Sequence, residues 1–249
     1  MVPVRFGFAS RHPTVTFTLT QDMDGFVDTQ HTSILKRVGA VLLVVGLIDI
    51  VVMIYSAVSG ISYYSSFNIF AVVAGVFLLR GSLRAASIVR WFAVFMLASF
   101  VVLPIVFIFM QPIDLTLTEI RLNPGVSLAT FAFMGLLLAL LVWVTRELGR
   151  EPVMVAREHA GRKRRDMRIP AAIGVVMVLV MGIMFSLLLS GETADHARSM
   201  AEQQVGPGYR FHVSSMHIFK SNQGTFVSGI VKAWDGNEVL NIPVRWEHR

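Results

Sequence analysis

The chain has 249 residues, 54% of them hydrophobic and only 15% charged, with a mean hydropathy of +0.64. Soluble domains of this length carry about 25% charged residues, so the composition is not that of an ordinary soluble enzyme and points to a bilayer. The net charge of +6 comes from bases lying between apolar blocks, which makes anionic lipid headgroups and not nucleic acid the expected partner, and the lack of cysteine removes disulfides and thiolate-bound metals.

Residues 1–33 are polar and are expected to form a cytoplasmic tail. They hold no compact apolar region with a small-residue cleavage site, so the first apolar block is expected to act as an uncleaved signal anchor. Within the tail, PTVTFTLT at 13–20 alternates in the manner of a strand. Isolated and rich in threonine, it is expected to be loosely ordered.

Five apolar blocks follow, at about 38–58, 63–80, 91–111, 126–145 and 170–190. Each approaches the roughly 20 residues a helix needs to cross a bilayer, so residues 34–190 are expected to form a five-helix transmembrane domain. The second block is the shortest and opens on Tyr63 and Tyr64, which favour the headgroup level. Pro104 in the third block removes one backbone hydrogen bond and is expected to kink its helix. Ala71 and Gly75 in the second block, and Gly182 and Ser186 in the fifth, have the spacing of small residues at close helix contacts, expected within the chain.

The bases fix an orientation. Arg5, Arg11, Lys36 and Arg37 precede the first block, and Arg80, Arg84 and Arg90 lie between the second and third. The link between the fourth and fifth carries Arg146, Arg150, Arg157, Arg162, Lys163, Arg164, Arg165 and Arg168. On the alternate side, 59–62 has no base, and 112–125 has only Arg121 beside Asp114 and Glu119. The positive-inside rule then predicts a cytoplasmic N-terminus and an exported C-terminus in a bacterial-type plasma membrane. In GRKRRDMR at 161–168, the bases Arg162, Lys163, Arg164, Arg165 and Arg168 are both a topogenic signal and candidate contacts for anionic headgroups. The loop before it, TRELGREPVMVAREHA, reads as a short amphipathic segment along the interface.

One acid interrupts the first block, in GLIDIVVMI at 46–54. An ionised Asp49 near the midplane would cost roughly 2.5–3.5 kcal/mol, so a hydrogen-bonded packing role is the first expectation and a proton or ligand site the second. Ser99, at similar depth in the third block, is the candidate partner.

After Ser190 the composition changes. Residues 191–204 are good helix formers, stopped by Gly206, Pro207 and Gly208. Period-two alternation follows in YRFHVSSMHIF, TFVSGIVKAW and EVLNIPVRWE, with turns at Asn222-Gln223-Gly224 and Asp235-Gly236. Phe211, Val213, Ser215 and Phe219 are expected on one face together with His217, and Leu240, Ile242, Val244 and Trp246 on one side of the third strand. Pro243 places that strand at the sheet edge, and Gly229 marks a bulge or a close approach. Residues 191–249 are thus expected to be an exported helix plus a three-stranded antiparallel meander. A unit this small is expected to lean on the outer ends of the membrane helices or on another protein.

No GxxxxGK[ST], HExxH, GxSxG or GxGxxG motif occurs. Gly60-Ile61-Ser62 resembles the serine segment of an intramembrane protease only superficially, because no histidine falls inside an apolar block. His196, His212, His217 and His248 lie in the exported tail, but simple alternation puts His212 and His217 on opposite faces, so no metal site is expected. The expected class is an α-helical membrane bundle with a small C-terminal α+β domain, without enzymatic activity or cofactor. It would anchor or adapt a protein partner through its exported domain. The alternative is a small transporter or channel subunit that uses Asp49, a class that normally places several polar groups along a pathway.

Overall fold

The computed structural model describes residues 16–60, 67–161, 165–221 and 224–248. Eight helices precede three strands among these residues: α1 (Thr16–Val58), α2 (Phe67–Leu79), α3 (Leu83–Met110), α4 (Ile113–Leu122), α5 (Pro124–Glu147), α6 (Glu151–His159), α7 (Arg168–Leu188), α8 (Glu192–Val205), β1 (Arg210–Ser221), β2 (Gly224–Trp234) and β3 (Val239–His248). Four helices contain stretches long and apolar enough to cross a membrane: Gln30–Val58, Leu83–Met110, Pro124–Glu147 and Arg168–Leu188. Large apolar side chains point outward along them, among them Ile54, Phe109, Phe131, Leu136 and Ile183. Lipid accepts such a surface where water would not.

The second expected span is not confirmed. Its described helix, α2, has 13 residues, and at 1.5 Å per residue it covers about 20 Å against about 30 Å of hydrocarbon. Tyr63 and Tyr64 lie outside the described residues. Two further expectations change. Residues 16–20 are helical and not a loose tail, since α1 extends as one helix well before its apolar part; elongation adds one hydrogen bond per residue once a helix is nucleated. Residues 113–122, expected as a loop, form α4. Pro104 lies inside α3, which is helical on both sides of it.

The chain divides into two units, Met1–Arg90 with Arg146–Arg165, and Trp91–Thr145 with Asp166–Arg249. In the first, α1 and α2 form an antiparallel pair. His31, Leu35, Val38, Leu42 and Gly46 make a buried stripe on α1 at helical spacing, matched by Ala71, Ala74, Gly75 and Leu78 on α2. Gly39 and Gly75 sit at the crossing. A Cβ on Gly39 would stand 2.9 Å from the carbonyl oxygen of Gly75 and from the amide nitrogen of Leu79, so only glycine permits this approach. The small-residue spacing of Ala71 and Gly75 therefore serves packing within the chain. α6 also packs on α1. Its apolar side, Val153 and Met154, is buried in protein and not laid on lipid as expected for this segment. Beside it Arg157 is buried and donates to Ser87 Oγ at 2.9 Å, while Arg90 donates to the Met154 sulfur at 3.0 Å.

In the second unit, α7 meets α3 through small residues. A Cβ on Gly174 would fall 2.5 Å from the Phe95 carbonyl oxygen, and Gly182 packs directly on Val106. The C-terminal part is the expected α8 followed by a meander of order β1-β2-β3. Ala194, Ala197 and Ala201 of α8 lie against Val213, Val231, Ala233, Ile242 and Val244, with Leu240 and Trp246 packed alongside. Alanine at the three fully buried α8 positions lets the helix sit close to the sheet, with Met200 and Val205 packed at the edge. The turn after Trp234 is held by Asp235 Oδ1, which accepts from the N–H groups of Asn237 (2.9 Å) and Glu238 (3.0 Å), with Gly236 at φ +96°. Those two bonds hold the Asp235 carboxyl below the usual carboxylate range. Asn222 and Gln223 of the other expected turn lie outside the described residues.

The ladder contains one irregularity that reassigns faces. Val213 pairs with Val231 but Ser215 pairs with Ile230, leaving Ser214 as an extra residue in β1. Beyond such a bulge the alternation is offset by one. Phe211 and Val213 face α8, while Ser215, His217 and Phe219 face away, opposite Ile230, Ser228 and Phe226. His212 and His217, expected on opposite faces, therefore share one, opposite Lys232 and Ser228. Gly229 pairs with Met216 just beyond the bulge, where a Cβ would stand 2.7 Å from the Ser215 carbonyl oxygen, so it marks a close approach. β3 is an edge strand with Pro243 in it, as expected.

Candidate functional site

Asp49 is half-buried and continues the stripe of Leu42 and Gly46 on the α2-facing side of α1. Gly39 lies beside Leu79, and Leu43 beside Gly75. Two antiparallel helices of equal rise keep that pairing, so ten residues beyond Gly39 comes level with ten residues before Leu79. Asp49 thus lies at the height of Ile69, in the first turn of α2. Backbone N–H groups in a first turn have no acceptor within their own helix, and the positive end of the helix dipole favours a carboxylate there. The acid is not adrift in oil; a helix start lies beside it.

Ser99 belongs to the other unit. Its hydroxyl donates to the Phe95 carbonyl at 2.9 Å, back-bonding within α3, and it borders the Gly174 contact. Of the five bases assigned to headgroup contact, Arg162, Lys163 and Arg164 fall outside the described residues. Arg165 and Arg168 are exposed, Arg168 as the first residue of α7.

In the second unit, α4 reaches one end of the sheet face that turns away from α8. Arg210 pairs with Asp114, and Lys232 pairs with Glu119, whose second oxygen accepts from Gln111 Nε2 at 3.2 Å. These two acids are five residues apart on α4, about 140° around its axis, so they flank its buried side and reach two different strands. Leu115 and Thr118 are buried between them in sequence. Sequence reading placed Asp114 and Glu119 only as acids on the exported side, because their partners lie about a hundred residues away. Under this cover His212 is half-buried. Burial pushes its imidazole below the usual range, Arg198 and Lys232 push the same way, and Glu119 opposes.

The other end of that face is open. Phe219 is 59% exposed and Ile230 42%, with His217 stacked obliquely on Phe219 and the Arg245 guanidinium 5.8 Å from the centre of the Phe226 ring. An apolar patch rimmed by a base and an imidazole suits protein contact better than bond-making chemistry. Among the described residues no three His, Asp or Glu side chains gather as a metal site. No protein-family model matches the chain, and no curated protein or solved structure matches it either.

Proposed function

We propose that this protein is a non-enzymatic membrane anchor or assembly factor that presents its C-terminal helix and sheet to a protein partner on the exported side of a bacterial-type plasma membrane. The observation that carries the reading is the divided outer face of the sheet. One end is fastened to α4 by Lys232–Glu119 and Arg210–Asp114, and the other leaves Phe219 and Ile230 exposed. A unit held at a fixed seat with an apolar patch turned outward is suited to docking. Its edge strands also offer backbone groups to a partner strand. The positive-inside distribution of arginine supports the orientation, with residues 1–33 and the loop before α7 cytoplasmic.

The test is photocrosslinking in native membranes, with a crosslinking amino acid at position 219 or 230 and mass spectrometry of the adducts. A discrete envelope protein captured at both positions, but not from Arg165 or Arg168, supports the reading. The companion comparison removes residues 191–249 in one strain and replaces Asp49→Asn in another. Loss of the chain's cellular role in the first alone is expected; loss in the second alone would replace this reading with that of a transporter or channel subunit centred on Asp49.

A further inference from the structure

A cluster of polar and basic groups lies where the apolar part of α1 begins. Gln30, Ser33, Ile34 and Arg37 recur at the spacing of one helix face, and they line an open cleft of about 390 Å³ closed on the other side by Arg150 and Pro152. That volume lies within the range that small ligands occupy. Arg37 makes no ion pair among the described residues and is exposed. Arg150 gives one guanidinium nitrogen to Glu147 at 2.8 Å, leaving the rest of its five-donor fork for a ligand, and its side chain is 55% exposed. Arg150 is also the N-cap of α6, so the positive end of that helix adds to the charge of the cleft, with Glu151 opposing it.

We propose that this cleft binds a phosphate group, held by Arg37 and Arg150 with Gln30 and Ser33 as neutral hydrogen-bond donors. Two planar guanidinium forks lining one cleft, Arg37 from α1 and Arg150 from the turn before α6, are suited to bidentate capture of phosphate oxygens. The apolar stretch of α1 from Val38 to Val58 has 21 residues, about 31 Å of helix, which matches the hydrocarbon thickness and sets Arg37 at its edge. At that level the phosphate of an anionic lipid and that of a soluble phosphate compound present the same oxygens. The cytoplasmic placement rests on the orientation proposed above; the chemistry of the cleft does not. Ile34 and Pro152 supply apolar walls on which a glycerol backbone or a nucleoside would rest equally.

The full-length protein, purified in detergent, decides between these. One arm counts phosphatidylglycerol and phosphatidylcholine retained in native mass spectrometry; the other titrates inorganic phosphate and pyrophosphate by calorimetry. The variants are R37Q/R150Q, S33E, and R84Q/R121Q as a charge-matched control at two exposed arginines outside both the cleft and the headgroup set. We expect R37Q/R150Q and S33E each to weaken binding at least tenfold, with R84Q/R121Q within twofold of wild type. Loss confined to phosphatidylglycerol assigns the site to lipid, and loss confined to the soluble anions assigns it to a phosphate compound. R37K/R150K, which keeps the charge but not the fork, is expected to fall between, and it guards against a folding defect in the glutamine variant. S33E binding as wild type, or equal loss in the R84Q/R121Q control, overturns the proposal in favour of diffuse surface charge.

Discussion

Gly39 and Gly75 meet backbone to backbone: a Cβ on Gly39 would stand 2.9 Å from the carbonyl oxygen of Gly75, and one on Gly75 2.8 Å from that of Gly39. Between helices in lipid there is no hydrophobic drive to associate, so close packing of this kind supplies much of the attraction. Gly39→Ala or Gly75→Ala is therefore expected to destabilise the α1–α2 pair by about 1–3 kcal/mol, the range for overpacking. Gly135→Ala in α5, where a Cβ meets nothing within 4 Å, is expected to be neutral or slightly stabilising. Thermal unfolding in one detergent checks all three; equal effects at positions 39 and 135 would count against the crossing.

The seam between α4 and the sheet has two ion pairs of unequal worth. Lys232 and Glu119 are 25% and 33% exposed, whereas Arg210 and Asp114 are largely in solvent. A double-mutant cycle with Glu119→Gln and Lys232→Met is expected to give coupling near the upper end of the surface range, about 1 kcal/mol. Asp114→Asn with Arg210→Met is expected to give less, and to lose it as salt is raised toward 0.5 M. Protease sensitivity of the 191–249 unit in the intact protein reports the loosening.

His212 makes the same seam sensitive to pH. Burial, then Arg198 and Lys232, lower its pKa, so the folded protein binds this proton more weakly than the unfolded chain, whose histidine titrates near pH 6.5. The stability from a neutral His212 is whole above that pH and is lost as pH falls below it. The unfolding midpoint of the full chain is expected to drop as pH falls below about 6.5, and His212→Gln to flatten that drop. An identical slope in the variant would assign the pH dependence to other groups.

Gly229 is expected to be the least replaceable residue of β2. A Cβ there would press to 2.7 Å on the Ser215 carbonyl oxygen beside the bulge, and backbone cannot swing aside as a side-chain tip can. Gly229→Val is expected to cost more than Val227→Ala, although valine is the better strand residue. Near-ultraviolet dichroism around Trp234 and Trp246, followed through thermal unfolding, ranks the two.

What the sequence disclosed depended on how locally each feature was encoded. The meander, its Asp235-Gly236 turn, the stop at Gly206 and the edge position of Pro243 are all written in adjacent residues, and each was legible. Four membrane-length helices were legible for the same reason, because a run of apolar residues is a local signal. The faces of β1 were not, since a single inserted residue at Ser214 leaves no mark in composition yet reverses every later side chain. α4 was hidden because its apolar residues, Ile113, Leu115, Leu117, Ile120 and Leu122, mostly alternate with polar ones instead of recurring at helical spacing, and its acids find their bases only after the chain returns through α7 and α8. α6 was read as amphipathic, correctly, but which surface takes the apolar side depends on α1, and no local pattern specifies that. The Arg37–Arg150 cleft likewise joins residues far apart in the chain, each of which alone looks like a topogenic charge.

The shortness of α2 gives Asp49 a mechanical meaning. At its present height the acid faces the first turn of α2, and farther along α1 Val51, Val52, Ile54, Tyr55 and Val58 are outward-facing. Sliding α2 by one turn toward its own C-terminal end, about 5.4 Å, would carry the N–H groups of that first turn past the carboxylate. Asp49→Leu should accordingly leave the pair assembled but able to slip, visible as engineered cysteine crosslinks at 35–79 appearing beside those at 39–79. A single costly side chain then works as a detent: the glycines hold two oily helices together, and the acid gives them one place to stop.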